Sequence, residues 1–378
     1  MRRLLGVLVM VVALVGLPTP ARSASLFTAV EAFSTKTGFR AVVAWQASET
    51  VSGEVLYGPS PEDLSGVAVP LPVGPDKAQM AVVDGLTPGR TYWFQVRDRI
   101  SGETSPMRRM TATNAYNGWN GRTYTLSLVI QLDAPEAPVV VGSDLDLNDV
   151  AAAVNVMAER VHDATDGFVR LGTVLVTDTK LDYSANPPVA FGAVCTPAGN
   201  VADVVIETAV AFDSHTWTPW AIDDPCTVIH VGRQGQLVLP WKDPAHLGYV
   251  LTHELAHYAL DASDLYGLNG TGECWNPDWD GSLMSNRGGW KESYGRWEGT
   301  ELDRNETLTP CDMGSESYSW DLLRERYVEV PERANGPVEH VVDRKKTGNP
   351  DGGALRIFVL DHRAGSSSLH VVTPVDRP

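Results

Sequence analysis

The sequence HELAHYALDASDLY, from His253 to Tyr266, decides how the second half of this 378-residue chain is interpreted. His253 and His257 are four residues apart, and Glu254 directly follows the first of them. On an α-helix this spacing places both imidazoles on one face, about one turn apart, where both can reach one zinc ion at about 2.0–2.1 Å. Glu254 then lies beside the metal, where it can act as a general base. The alternative is an amphipathic helix with two structural histidines.

A catalytic zinc site needs a third protein ligand, and the residues after this helix supply candidates. If the helix continued, Asp261 would lie about 12 Å along the axis from His253, too far to share its ion. A turn after Leu260 could instead return Asp264 to the metal. Asp261 would then lie at the turn, because Asp tolerates left-handed backbone geometry better than most other residues. Glu273, farther along the chain, stays open as an alternative third ligand.

The residues before the histidine helix predict a domain of mixed α and β structure. Strands are indicated by TYTLSLVIQL, VRLGTVLVTD, DVVIE and CTVIHVG, and the apolar residues of DLNDVAAAVNVMAERVHDATDG recur at helical spacing. Asp243 and Pro244 are a typical N-cap and first residue for the histidine helix. We therefore expect an α+β domain over residues 123–330, followed by an extension of unknown fold over residues 331–378.

The N-terminus has the features of a secretory signal. Arg2 and Arg3 precede an apolar run from Leu4 to Leu17, and small residues suited to cleavage follow. This run is shorter than the roughly 20 residues needed to span a bilayer. The sequence predicts a signal peptide over residues 1–24 and a secreted, extracellular protein with no membrane span after cleavage. The alternative is that the segment stays uncleaved as an anchor.

Residues 25–113 predict an all-β sandwich, joined to the second domain by a linker over residues 114–122. Short runs rich in β-branched and aromatic residues alternate with turn signals. The segment GLTPGRTYWFQVRD resembles a fibronectin type III domain, in which Tyr92 would be the tyrosine-corner residue. Such a module is expected to be a spacer or a binding platform for a surface or matrix ligand.

The four cysteines are expected to form disulfides. They are widely spaced, lack any CxxC pair and belong to a chain predicted to be exported, which favours disulfides over a thiolate metal site. Three connectivities are possible, and the arrangement that closes two separate local loops joins Cys195 to Cys226 and Cys274 to Cys311.

The charge balance argues against nucleic acid as a partner. The chain has 30 Lys and Arg against 47 Asp and Glu, a formal net charge of −17. Phosphate backbones bind basic faces, so we expect no nucleic-acid partner and look instead to a protein or peptide substrate.

The segment NPDWDG raises the question of calcium. Asn276, Asp278 and Asp280 alternate before Gly281, as in calcium loops, but the twelfth position is Arg287 rather than glutamate. We interpret the segment as an acidic turn and keep a Ca²⁺ loop as the alternative.

The histidine motif, together with GSLMSNR and CDMGSESYSWDLLRERY, resembles the zinc metallohydrolase domain of the calcium-activated chloride channel regulator family. That family belongs to the metzincin-like metallopeptidases, and the likeness spans approximately Thr123 to Glu329. It implies three zinc ligands (His253, His257 and Asp264), a catalytic base (Glu254) and a Met-turn methionine beneath the site (Met284).

Two positions depart from the family pattern. Asp261 stands where the family has a glycine, and Asn286 stands where many metzincins carry a tyrosine two residues after the Met-turn methionine. The resemblance implies a multidomain, secreted zinc metalloendopeptidase, with a fibronectin III-like sandwich followed by an α+β zincin-like domain. The alternative is a weak or inactive zincin scaffold used for adhesion, binding or self-processing. An intact Glu254 favours the enzyme.

Overall fold

A computed structural model of the chain describes both predicted domains in part. The residues it describes are 25–35, 38–71, 74–113, 119, 121, 123–133, 145–165, 167–181, 201–207, 229–232, 243–260, 323–324, 327–329, 355–362 and 367–372. They form three sheets and two helices. The predicted signal peptide, residues 1–24, lies outside them. Neither described helix combines the length and the apolar character needed to cross a bilayer.

The N-terminal part is a β-sandwich, which confirms the architecture expected from its alternating strands. One sheet has the order β1-β2-β6-β5 and the other the order β4-β3-β7-β8. The bounds are β1 Phe27–Ser34, β2 Ala41–Val51, β3 Gly53–Gly58, β4 Gly66–Ala68, β5 Pro70–Leu71, β6 Asp76–Val83, β7 Thr91–Asp98 and β8 Arg108–Thr111. All strand pairs within these two sheets are antiparallel. Trp45, Val55 and Phe94 are fully buried between them.

Tyr92 has the local geometry expected of a tyrosine corner. Its hydroxyl oxygen accepts a hydrogen bond from the backbone N–H of Thr87, five residues upstream, at 2.9 Å. This bond ties the start of β7 to the turn before it, as the resemblance to a fibronectin type III domain implies.

The second domain is built on a six-stranded sheet in the order β12-β11-β9-β10-β13-β14. Its strands are β9 Tyr124–Asp133, β10 Val169–Thr177, β11 Val204–Glu207, β12 Ile229–Gly232, β13 Arg356–Asp361 and β14 Ser368–Val372. Neighbouring strands run parallel except for the antiparallel pair β13 and β14. The two helices are α1, Leu147–Ala164, and α2, Pro244–Leu260.

Two strands of the C-terminal tail, β13 and β14, are part of this sheet. The sequence left residues 331–378 as an extension of unknown fold, outside the domain over residues 123–330. In the structure β13 pairs in parallel with β10, from Thr173 opposite Arg356 to Thr177 opposite Leu360. The domain therefore extends past residue 330 and includes the strands β13 and β14.

Both faces of the central sheet are buried. The side chains of Leu128 and Ile130 belong to a core that includes both helices. Val129, between them in sequence, belongs with Leu175 and Phe358 to a second core that includes the sandwich residues Val42, Ala44 and Met80. Parallel strands covered on both sides are apolar on both sides, which explains their continuous runs of Val, Leu and Ile. The sandwich is therefore packed against the second domain, unlike a module tethered only by a linker.

Candidate metal centre

Helix α2 begins where the sequence predicted. The Asp243 carboxylate accepts a hydrogen bond from the Ala245 N–H at 3.0 Å, and its backbone carbonyl accepts one from the Leu247 N–H at 3.1 Å. These bonds satisfy amide groups of the first turn, and Pro244 occupies a position where no amide hydrogen is needed. Helix α2 is described to Leu260, and the turn expected after it lies outside the described residues.

Helix α2 is buried on every side. All residues from His246 to Leu260 are buried, and the helix packs against α1 and against the sheet at β12. At Gly248 the two helices approach so closely that a Cβ atom would lie 2.5 Å from the Val156 Cβ and 2.8 Å from the Ala153 carbonyl oxygen. This close approach holds the middle of α2 against α1.

The two motif histidines lie side by side on α2. Their ring centroids are 4.9 Å apart and the rings are nearly perpendicular, at 88°. His253 and His257 are only 9% and 8% exposed, and Glu254 is 4% exposed. Two imidazoles at this separation fit the two-histidine part of a zinc site, because both rings can direct a nitrogen toward one ion.

Tyr249 packs beside the first of these histidines. It lies one turn earlier on α2, and its ring is stacked on the His253 ring with centroids 6.2 Å apart at 29°. The guanidinium of Arg160 on α1 lies 5.6 Å from the centroid of the Tyr249 ring. The stack limits how the His253 ring can turn, and it links the histidine to α1.

Tyr258 of α2 and Asp203, beside the central sheet, form a buried polar pair. The Tyr258 hydroxyl donates to the Asp203 Oδ1 at 3.0 Å, and both residues are at most 1% exposed. Asp203 directly precedes β11, so this bond joins α2 to the central sheet.

Tyr327 binds the last turn of α2. Its hydroxyl donates to the carbonyl oxygen of Ala259 at 2.7 Å, and its ring packs edge-on against Tyr124 with centroids 4.7 Å apart. Carbonyls of a helix's last turn lack a partner within the helix, so the phenol satisfies one of them. This contact belongs to the segment CDMGSESYSWDLLRERY, whose final residue is Tyr327.

A third histidine, His246, lies near the start of the same helix. Burial lowers its pKa below the usual 6.5, and the charge of Asp243 offsets this only in part. It lies two turns before His253, so its position is that of a packing residue.

Several predicted site residues lie outside the described part of the chain. These are Asp261, Asp264, Glu273, Met284, Asn286, the calcium-loop candidates Asn276, Asp278 and Asp280, and the cysteines Cys195, Cys226, Cys274 and Cys311. Within the residues that are described, no three His, Cys, Asp or Glu side chains form a complete metal-binding group. The structure brings together His253, His257 and Glu254, and the third ligand stays a prediction.

Sequence reasoning missed Tyr249, Asp203, Tyr258 and Tyr327. Tyr258 follows a motif histidine in sequence, and this position was the one signal that could have drawn attention to it. Its bond to Asp203 could not be predicted, because the two residues are 55 positions apart in the chain.

The comparisons with known proteins give similarities to β-sandwich structures. No protein-family model and no curated protein matches the chain. The third fibronectin III domain of a human protein is 14% identical, covering 27% of this chain and 97% of that one, with a TM-score of 0.17. A computationally redesigned β-sandwich protein is 21% identical, covering 23% and 94%, with a TM-score of 0.17. A purple acid phosphatase from yellow lupin seeds is 16% identical, covering 39% and 29%, with a TM-score of 0.22. Similarities at these TM-scores carry over no function.

Proposed function

We propose that the chain is a secreted zinc metalloendopeptidase whose α+β zincin-like domain carries its active centre on α2. The observation that carries the proposal is the pair of buried, nearly perpendicular imidazoles of His253 and His257, 4.9 Å apart, with Glu254 beside them. Two satisfied structural histidines would not require a glutamate at the intervening position. The HExxH pattern requires all three on one helix.

The chemistry of the donors supports zinc. His253 and His257 would hold the ion, with Asp264 as the third ligand that the family resemblance implies. When bound, zinc would act as a Lewis acid: it would polarise the substrate carbonyl and lower the pKa of water, so that water loses a proton near neutral pH and becomes a nucleophile. Glu254 takes a proton from the attacking water and gives it to the leaving amine, so that the peptide bond is hydrolysed with no net change in the enzyme.

The substrate class follows from the reaction and from the charge. The net charge of −17 opposes binding of nucleic acid, while a peptide carbonyl is the group that this pattern of residues attacks. We propose a protein or peptide substrate. The sandwich covers the sheet face opposite the helices, and any surface or matrix ligand would bind its remaining surface.

The alternative function, an inactive zincin scaffold, is favoured by one residue. Asn286 stands where many related enzymes carry a tyrosine, so that donor to the oxyanion is absent from its usual position. Such a scaffold would bind zinc and hydrolyse nothing. Metal analysis of the purified protein, combined with a broad peptide-library cleavage assay, separates the two functions.

The sharpest test of the enzyme is Glu254→Gln. Because Glu254 is assigned to proton transfer, this variant should keep zinc and lose hydrolysis by about 10²–10⁴-fold, the usual value of general-base catalysis. Zinc content by mass spectrometry and cleavage rate are measured together. The control is Glu159→Gln, an exposed glutamate on α1, which should change neither. Loss of zinc together with activity would contradict the role of Glu254 as a base.

A further inference from the structure

We infer that Asp203 and Tyr258 are a positioning pair. Their hydrogen bond fixes the rotation of α2 about its axis and its position along that axis, and thereby the position of His257 in the zinc site. This inference rests on the proposed function, since it names residues that orient a metal ligand. Neither residue belongs to the HExxH pattern, and neither contacts the reacting atoms.

The pair acts directly beside a ligand. Tyr258 follows His257 in sequence, and its hydroxyl donates to the Asp203 Oδ1 at 3.0 Å. Tyr258 is fully buried, so water does not compete for this bond. Any rotation of the last turns of α2 about the helix axis would move the Tyr258 hydroxyl away from Asp203 and His257 away from its place.

Asp203 is itself held at three points on the sheet. Its Oδ2 accepts from the backbone N–H of Val129 at 2.8 Å, and its own N–H donates to the Val129 carbonyl at 2.8 Å. Its carbonyl accepts from the N–H of Ile229 at 2.9 Å. Asp203 thus connects β9 and β12, and the carboxylate has one oxygen on the sheet and one on the helix.

Apart from the close contact at Gly248, the apolar surface of α2 constrains its rotation only weakly. A helix that is buried on every side, and apolar over most of its surface, has no solvent-facing stripe to set its rotation. Buried polar groups are unfavourable unless they are hydrogen-bonded, so the hydroxyl and the carboxylate stabilise only the arrangement in which they meet. A directional bond of this kind therefore adds to the selection of one rotation that the close contact at Gly248 already favours.

A zinc site requires that the helix bearing its ligands keep one rotation. Ligands must stay within about 0.5 Å of their working positions, and residues that only orient a ligand typically change metal affinity by 10–100-fold when they are removed. The Asp203–Tyr258 bond holds the C-terminal half of α2, while the close contact at Gly248 holds its middle.

The test compares Tyr258→Phe with Thr165→Val. Tyr258→Phe keeps the ring and removes the hydroxyl that reaches Asp203. Thr165→Val removes another buried hydroxyl, which donates to the Val161 carbonyl at 2.7 Å and accepts from the Val169 N–H at 3.0 Å, so that it joins the end of α1 to β10 without contacting α2 in any described hydrogen bond. Zinc affinity is measured by competition with a chelator, the Co²⁺-substituted protein is examined by visible absorption, and folding is checked by circular dichroism.

We expect Tyr258→Phe to fold, to bind zinc roughly 10–100-fold more weakly and to show a changed Co²⁺ spectrum, while Thr165→Val keeps wild-type affinity and spectrum. Asp203→Asn should lose less zinc affinity than Tyr258→Phe, because its oxygen can accept from the Val129 N–H while its amide donates to the Tyr258 hydroxyl oxygen. Equal zinc affinity in Tyr258→Phe and wild type overturns the inference and leaves the proposed function intact. Failure of Tyr258→Phe to fold also overturns it, because the pair would then hold the whole domain. A wild-type protein that binds no zinc overturns both.

Discussion

Among single residues, Asp261 and Asp264, which follow the histidine helix, are assigned different roles: Asp264 is the proposed zinc ligand and Asp261 the proposed turn residue. A ligand carboxylate must come within about 2.0–2.2 Å of zinc, whereas a turn residue only has to let the backbone reverse. Asp264→Ala should therefore leave only two histidine ligands and lower the affinity for zinc, so that a mild chelator removes the metal. Asp261→Gly should keep zinc and stabilise the fold slightly, because glycine adopts left-handed geometry without steric cost.

The comparison of these two variants also tests the choice of third ligand. Both residues lie outside the described part of the chain, so the assignment depends on spacing and on the family resemblance. If Asp261→Gly empties the site while Asp264→Ala leaves zinc bound, the third ligand has been misplaced. If neither change affects zinc, Glu273 becomes the better candidate, and Glu273→Ala is the next variant to measure.

The sequence predicted the motif residues but not the residues that hold them. Spacing along one helix is a local property, so the shared face of His253 and His257 could be predicted from the order of residues alone. The roles of Asp203 and Tyr327 depend on which elements meet in space. A single aspartate before an apolar run has no local pattern that distinguishes a buried anchor from an exposed turn residue.

At the level of the helices and strands, the packing of α1 on α2 depends on one glycine. Replacing a helical glycine by alanine ordinarily stabilises a protein by about 0.5–1 kcal/mol. At Gly248 the new Cβ would lie 2.5 Å from the Val156 Cβ, and the Ala153 carbonyl oxygen is only 2.8 Å away. Neither neighbour is the end of a flexible side chain, so the helices must separate. Such overpacking typically costs about 1–3 kcal/mol, more than the gain in helix propensity.

Gly248→Ala should therefore lower the free energy of unfolding by up to about 2 kcal/mol, measured by chemical denaturation. Glu159→Ala, at an exposed position of α1, is the control and should be within about 0.5 kcal/mol of wild type. An increase in stability for Gly248→Ala would show that α1 and α2 lie farther apart than the structure has them.

The strands of the central sheet show where sequence prediction of an element reaches its limit. Their β character could be predicted from composition: β10, β11 and β12 lie within the segments expected to form strands, and β9 extends one residue past its segment, to Asp133. The partner on the second face could not be predicted, because an apolar residue such as Val129 has the same pattern whether a helix, a sheet or another domain covers it. For the same reason the pairing of β13 with β10, across 183 residues between Thr173 and Arg356, could not be predicted from the sequence.

In the molecule as a whole, the sandwich and the second domain share one buried junction. The apolar core around Met80 and Phe358 is bordered by polar contacts between the two domains. The Leu369 N–H donates to the Gln46 Oε1 at 2.7 Å, and Arg356 forms an ion pair with Glu31 at 2.8 Å. Arg356 belongs to β13 and Leu369 to β14, so these two strands connect the sandwich to the central sheet, on whose other face α2 packs. We expect the two domains to unfold in a single cooperative transition.

His362 lies at the centre of this junction. Its Nδ1 is 3.2 Å from the Asp178 Oδ1, and its Nε2 is 3.1 Å from the Ala78 carbonyl oxygen on the sandwich. The protonated ring satisfies both contacts by donating from each nitrogen, whereas the neutral ring can donate from Nε2 to Ala78 and accept at Nδ1 from the Thr179 hydroxyl, 3.2 Å away. Burial lowers the pKa of His362, but the hydrogen bond and charge of Asp178, the Ala78 carbonyl and the charge of Asp76 together raise it above 6.5.

The stability of the junction should therefore fall as the pH rises above 6.5. A raised pKa in the folded state means that the stabilisation is fully present below the unfolded value of 6.5 and is lost as the pH passes through the folded pKa. His246, whose pKa is lowered, has its effect below 6.5 and does not interfere in this range. Chemical denaturation of wild type and His362→Gln between about pH 6.5 and 9 checks the prediction, since glutamine keeps a donor but cannot titrate. The wild-type free energy of unfolding should decline with pH while the His362→Gln curve is flatter, and two parallel curves would show that folding does not raise the pKa of His362.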